Sequence, residues 1–251
     1  MTAVRVKGQP GFVLHRRPYS ETSLLVDLFS REHGRLTVIA KGARQRKSQV
    51  RGVLRPFGLI TLGWSGKGEV KTLTQCESPG PAFNLRRRRL FCGYYLNELL
   101  LKFLHRYDPH ETLFDYYQAA VVQLAQGVDD ETVLRVFEKQ LMNEAGYGLQ
   151  LDRDQDSGTV LKADIIYRYL PGVGAFVDKP GRNEGILVHG SSMIALRTET
   201  GFDERARLEL KQLNRSVLRV LLEGRPLLSR AVYLRLYPAS SRPGTGLQDL
   251  M

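Results

Sequence analysis

Between residues 12 and 77 apolar side chains come in short runs divided by polar breaks. The runs are Phe12–His15, Thr22–Phe29, Arg35–Lys41, Leu54–Trp64 and Glu69–Glu77. In the third, Leu36, Val38 and Ala40 fall on one side and Arg35, Thr37 and Lys41 on the other, the alternation of a half-buried strand. The breaks are Arg16–Ser20, the reversal at His33-Gly34, a basic loop from Gly42 to Arg51, and the turn Ser65–Gly68. Pro56 stands near the start of the fourth run, where a missing backbone donor is tolerable. Five short strands in so few residues predict a small closed barrel, which leaves no open sheet edge.

After Pro79-Gly80-Pro81 the spacing becomes helical. A helix is expected from Leu85 to Arg106 with Asn84 as its cap, and a second from Glu111 to Gln126 burying Leu113, Tyr117, Ala120, Val121 and Leu124. The acids Asp129-Asp130-Glu131 open a third, where negative charge suits the N-terminal dipole. Its stripe is Leu134, Phe137 and Leu141, and Gly146 or Gly148 ends it. Residues 150–190 lose the helical period. Asp-rich turns precede Ile165–Leu170 and Gly174–Val177, which flank Pro171-Gly172 and read as a small hairpin or irregular insert. Helices resume at Ser191–Arg197, Asp203–Glu223 and Ser229–Tyr237. The expected class is α+β: an oligonucleotide-binding (OB) barrel over residues 1–80, then a mainly helical domain over 81–238 with the insert at 150–190. A disordered tail is expected at 239–251.

Charge sharpens this division. The formal net charge is +11, yet residues 1–90 hold 18 Lys/Arg against 5 Asp/Glu, and the rest of the chain is slightly acidic. Charge gathered in one module points to a polyanion such as DNA or RNA. The basic loop supplies Lys41, Arg44, Arg46, Lys47 and Arg51; the first break adds Arg16, Arg17 and Tyr19; the last turn adds Trp64, Lys67 and Lys71; Arg35 lies on the polar side of its strand. An OB barrel binds on the face of its second and third strands, flanked by its first and fourth loops. All these groups are expected on that surface, cations on phosphates and the two aromatic rings stacked on unpaired bases. The plainer reading is a solvated loop and aromatics in a core, the common place for a sole tryptophan.

Arg86-Arg87-Arg88-Arg89 opens the expected first helix, where positive charge opposes the dipole. A DNA backbone leaving the barrel would favour it; a solvated junction is the alternative. Arg207, Lys211, Arg215 and Arg219 recur every fourth residue beside Leu210, Leu213, Val217 and Leu221. Such a face suits an acidic peptide, or is an ordinary solvated helix face.

Catalytic patterns are missing. Thr61 stands where a Walker A loop needs its first glycine, His110-Glu111 does not continue to HExxH, and there is no GxSxG or GxGxxG. Asp152, Asp154 and Asp156 lack the glycine and distal glutamate of a calcium loop, leaving a solvated turn. Cys76 and Cys92 form no CxxC, so no thiolate zinc site is expected. No cofactor is expected, and the protein is not expected to be an enzyme. With no signal peptide and no membrane-length apolar run, a cytoplasmic, nucleoid-associated location is expected.

The segments GFVLHRRPYSETSLLVDLFSREHGRLTVIAKGAR, LRPFGLITL, GKGEVKTL, YYLNELLLKFL and LRVFEKQLMNEAGYGL closely resemble the RecO family of recombination mediators over most of residues 10–150. Past residue 150 the resemblance weakens to LLSR and helical character. It implies an N-terminal OB barrel and a helical C-terminal domain. It also implies binding and annealing of single- and double-stranded DNA, and work with RecR to load RecA on DNA coated by single-stranded-DNA-binding protein. The acidic tail of that protein is implied to dock on the helical domain. Arg135 matches a position that presents arginine to the tail, and Lys139, Arg207, Lys211 and Arg215 are further candidates. Many members carry a four-cysteine zinc site after GYGL; here LDRDQDSG has no cysteine, so the chain resembles the metal-free branch. An RNA-binding OB module of translation or RNA processing remains the alternative, since fold does not fix function. A nuclease would need carboxylate clusters that the basic domain lacks.

Overall fold

In the computed structural model, which describes residues 4–181 and 183–237, one long strand organises the N-terminal part. This strand, β1 (Val4–Tyr19), pairs along its second half with β2 (Ser23–Ser30) and along its first half with β4 (Ile60–Gly66). With β3 (Gly34–Ala40) and β5 (Val70–Glu77) it closes a barrel in the order β1-β2-β3-β5-β4. Only β3 and β5 run parallel among these pairs. Inward positions Val13, Val26, Leu28, Leu36, Val38, Leu62 and Trp64 fill it.

Two strand expectations change. The break expected at Arg16–Ser20 belongs to β1 as far as Tyr19, because polarity on that stretch marks a solvent face and not a turn. The run expected at Leu54–Trp64 becomes a turn and then β4. A short helix α1 (Val50–Val53) precedes it, and Pro56 and Phe57, the latter at φ +67°, interrupt the extended path.

Helices α2 (Arg88–Phe103) and α3 (Glu111–Gln126) cover part of the barrel's outer face. Phe12 and Phe29 point outward from the barrel, and Phe114 packs 5.2 Å and 5.4 Å from them between ring centres. Tyr117 lies edge-on to Phe12 at 5.0 Å. The β1–β2 register slips between Val13 and His15. The carbonyl of Leu14, inside that slip, accepts from Asn97 Nδ2 at 2.8 Å, and the Tyr117 hydroxyl donates to Asn97 Oδ1 at 2.6 Å. A bulge re-aims side chains, here ending the covered part of the face.

The chain divides into two compact units, one of residues up to Gly127 together with those from Val232, the other Val128–Ala231. The first unit thus carries α2 and α3 beyond the boundary expected at residues 79–81. In the second, α4 (Asp130–Glu144) starts at the expected acids, with Asp129 accepting from Thr132 N at 2.9 Å. The expected hairpin forms, β6 (Ile166–Leu170) pairing antiparallel with β7 (Gly174–Val177), and a third strand, β8 (Ile186–His189), four residues too short to show a period, extends it into a three-stranded sheet. The Asp-rich turn of the insert is not simply solvated. Asp154 is buried and accepts from Ser157 N, Ser157 Oγ and Val177 N at 2.9, 2.6 and 2.9 Å. Helices α5 (Gly190–Thr198) and α6 (Glu204–Leu221) follow, and α7 (Leu228–Leu236) spans the unit boundary. The tail at 239–251 lies outside the described residues. No described helix is long and apolar enough to cross a membrane.

Candidate nucleic-acid interface

Past the Leu14 bulge no described element covers the outer face of the barrel. Arg17 stands opposite Leu25, Leu25 opposite Ile39, and Ile39 opposite Thr72. Their neighbours Leu24, Val26, Val38 and Ala40 point inward to the core, so strand alternation turns this row outward. Leu25 and Ile39 are half-buried, whereas His15, Arg17, Tyr19 and Lys41 are exposed. The result is a small apolar shelf framed by cations. Asp27 interrupts it only weakly: it is buried, accepts from the Thr37 hydroxyl at 2.7 Å, and sits 3.6 Å from His15 Nδ1.

The basic loop is fastened beside this row. Arg44 donates from its backbone N to Thr22 O at 2.8 Å and from Nη1 to Ser20 O at 2.9 Å. Arg16 donates from Nη1 to Leu54 O at 2.8 Å, tying β1 to the end of α1. These bonds bring the first two basic groups to one rim of the barrel. The side chains of Arg17, Lys41, Arg46, Lys47 and Arg51 have no hydrogen-bond or ion-pair partner among the described residues, so their charge faces solvent.

The third group lies further along. Because β5 starts beside Thr37, the β4–β5 turn with exposed Lys67 sits toward the Gly34 end of β3, opposite the Lys41 end. Lys71 stands 5.2 Å over the Tyr107 ring and donates to Gly66 O at 3.4 Å. The outward row therefore runs between the two loops.

Several expected residues are placed otherwise. Trp64 is 1% exposed, inside the barrel core, with His33 edge-on at 5.2 Å; it cannot stack on a base without opening the barrel. Tyr19, 48% exposed at the end of β1, keeps that possibility. Arg35 is half-buried and donates from Nε to Leu104 O at 2.9 Å, and burial and then the neighbouring Arg106 lower its pKa. Helix α2 begins at Arg88, three residues later than expected, with Arg87 before it at φ +51°. Asn84 does not cap it: its amide oxygen, oriented toward Arg86, accepts from Arg86 Nε and Nη2 at 3.2 and 2.9 Å. Arg89 packs its guanidinium against Gly127 at the C-terminus of α3, where the dipole favours a cation. That contact gives Arg89 a favourable dipole inside the protein, while Arg86 and Arg87 lie before the helix and are exposed.

The candidate peptide site changes most. Arg135 is 3% exposed, with Nη2 at 2.9 Å from Glu138 Oε1 and 4.0 Å from Glu131 Oε2. Glu138 is fully buried and also accepts from Asn214 Nδ2 at 2.9 Å. Lys139 is buried against the α5 C-terminus, donating to Leu196 O and Arg197 O at 3.0 and 3.3 Å and pairing with Glu199 at 2.7 Å. Lys211 is buried beside Glu131 at 3.4 Å, and its burial lowers its pKa. These three hold α4, α5 and α6 together and do not present a cationic face. Arg207, 3.7 Å from Asp129, and Arg215 stay half-exposed.

Sequence reasoning missed Arg55 and Tyr94. Both are exposed and line a groove with Arg16. Arg55 carried no pattern, and Tyr94 was hidden in a helical run of apolar residues.

A closed β1-β2-β3-β5-β4 barrel with an outward row edged by cations defines an OB-fold protein with a helical partner unit. The chain matches the family model "Recombination protein O N terminal" over residues 4–81 and "Recombination protein O C terminal" over residues 85–231. It is 42% identical over 232 residues to the "DNA repair protein RecO" of Laribacter hongkongensis, covering 91% of this chain and 94% of that one. The proteins of the same name from Methylococcus capsulatus and Coxiella burnetii are each 41% identical, covering 91% and 90% of this chain and 93% and 97% of theirs. The chain belongs to the RecO family.

Proposed function

We propose that the protein is a DNA repair and recombination mediator that binds single- and double-stranded DNA through the open half of its barrel and anneals complementary strands. One observation carries this reading: the exposed Lys41, Arg46 and Lys47 of the β3–α1 loop, whose side chains have no partner among the described residues, stand at the rim of an acid-poor outward row. The name of its relatives favours DNA over RNA as the polyanion. No step requires a bond made or broken by the protein. Two phosphate backbones repel each other, and a surface that neutralises both raises their local concentration.

In the same proposal the protein works with RecR to load RecA on strands coated by single-stranded-DNA-binding protein. The acidic tail of that protein docks on the second unit. The half-exposed Arg207 and Arg215 are its cations, and Arg135, Lys139 and Lys211 form the buried frame beneath them.

The test is Lys41→Glu with Lys47→Glu, two exposed side chains without partners among the described residues. Single-strand affinity should fall, and the slope of log K against log salt should flatten by about 1.4 if both lysines neutralise phosphates. An unchanged slope would overturn the reading. RNA of equal sequence, run in parallel, tests the choice of DNA. Annealing assays on bare and coated strands test docking: Arg207→Glu with Arg215→Glu should slow only the coated reaction.

A further inference from the structure

We propose that a groove beside the barrel receives an unpaired nucleotide of the bound strand, with the Tyr94 ring as the surface on which its base stacks. The proposal rests on the barrel reading above and extends it to a site of its own.

The groove has a volume of about 620 Å³, within the ~300–1,000 Å³ usual for small-ligand sites. Arg16 and Arg55 line it together with Phe57, Phe83 and Tyr94, and none of the lining residues is acidic. Arg55 is exposed, and its guanidinium has no partner among the described residues. Tyr94 is 42% exposed, while Phe57 is 4% exposed. The two rings meet edge-on at 5.2 Å, so Phe57 supports Tyr94 and leaves much of the tyrosine in solvent.

Phe57 is held there by unusual backbone. Its φ is +67°, a region that side chains with a Cβ rarely adopt, and the contact with α2 needs a glycine: a Cβ on Gly93 would lie 2.7 Å from the Phe57 ring. The aromatic floor is thus built by specific residues and not left over from loose packing.

Two arginines beside an exposed ring, with no carboxylate, match a flat apolar group that carries an anion. A nucleotide is such a group: the base stacks and the phosphate takes the guanidinium. Arg16 belongs to both places, since it stands in β1 next to Arg17 and also lines the groove. Arg16 alternates with Arg17 along β1 and reaches over the end of α1, so a strand on the open face passes close to the mouth of the groove. Arg86 and Arg87 stand exposed in the chain between the lining residues Leu85 and Leu90, where the strand would continue. Duplex DNA cannot use Tyr94 this way, because its bases are already stacked and paired.

The experiment uses the full-length protein and fluorescein-labelled dT25, a 25-base-pair duplex, and an acidic peptide, each followed by anisotropy. Tyr94→Leu should weaken dT25 binding by roughly fivefold or more and leave the duplex unchanged, since one stacked base contributes about 1–3 kcal/mol. Tyr94→Phe should restore wild-type affinity. A crosslink from 5-iodouracil-substituted oligonucleotide to wild-type protein, mapped by peptide sequencing, should fall on Tyr94, and this arm holds even if the leucine variant misfolds. The groove proposal is overturned if dT25 affinity changes less than twofold in folded Tyr94→Leu, or if no adduct reaches Tyr94. It is overturned equally if the variant loses the peptide and keeps the oligonucleotide. The Lys41→Glu, Lys47→Glu variant separates the two readings: if it loses dT25 while Tyr94→Leu does not, the barrel face stands and the groove falls.

Discussion

The guanidinium of Arg44 donates to the carbonyl of Ser20 at 2.9 Å, and the same residue's backbone N–H donates to Thr22 at 2.8 Å. A loop that would otherwise swing free is latched to the β1–β2 turn, and Tyr19 and Lys41 are kept near one another. Arg44 thereby orders the surface as well as charging it.

Replacing Arg44 should separate those two roles. Arg44→Lys keeps the charge and loses the bond to Ser20, whereas Arg44→Ala loses both. The expected order of single-strand affinity is wild type, then lysine, then alanine, with alanine weaker by roughly fivefold at low salt. Amide exchange at residues 42–48 should quicken in both variants. Equal affinities for arginine and lysine would show that the latch does not matter.

The sole tryptophan offers an internal reporter. Trp64 lies in the barrel core at 1% exposure. Its emission should be that of a buried indole, and saturating DNA should leave the emission maximum where it is. Strong quenching or a shift of the maximum on adding oligonucleotide would place the ring in contact with bases, contrary to the packing.

The Arg135–Glu138 pair predicts a stability effect that docking assays must allow for. Both side chains are buried and 2.9 Å apart. Removing one partner leaves the other charge buried, so Glu138→Gln or Arg135→Met should lower unfolding free energy by about 3 kcal/mol in urea titrations. A docking defect in an Arg135 variant therefore counts only if the variant is shown to be folded. A variant as stable as wild type would contradict the buried pair.

Acid should weaken the second unit through Glu209. Burial raises this carboxyl's pKa, but hydrogen bonds from Ser192 Oγ and His189 N, with His189 Nδ1 at 2.5 Å, outweigh it and hold the pKa below its ordinary 4.5. A depressed folded pKa means that the stabilisation is complete above 4.5 and is lost as pH falls from there through the lower, folded value. Thermal melts across that range should show a steeper acid decline in wild type than in Glu209→Gln. Parallel curves would remove Glu209 as the cause.

Much of this protein was legible in one dimension. The alternation of Leu36, Val38 and Ala40 announced a strand, and these residues are core. The face of α3 came out as read, from Leu113 to Leu124, as did its bounds at Glu111 and Gln126. Charge counted along the chain located the basic barrel. These features are local, because a strand repeats every second residue and a helix every third or fourth, whatever lies far away in sequence.

What packing alone decided concerns partners distant along the chain. Spacing puts Arg135 on α4 but does not reveal that Glu138 and Asn214, the latter from α6, close over it. Spacing likewise allows Trp64 either side of its strand; closure of β4 on β1 turned it inward, whereas Tyr94, unremarked in a helix, faces solvent. Arginine, lysine, tyrosine and tryptophan each join an apolar body to a polar end, so they serve a core or a surface equally well. Their place depends on which element arrives to cover them, and that is settled only when the chain folds in three dimensions.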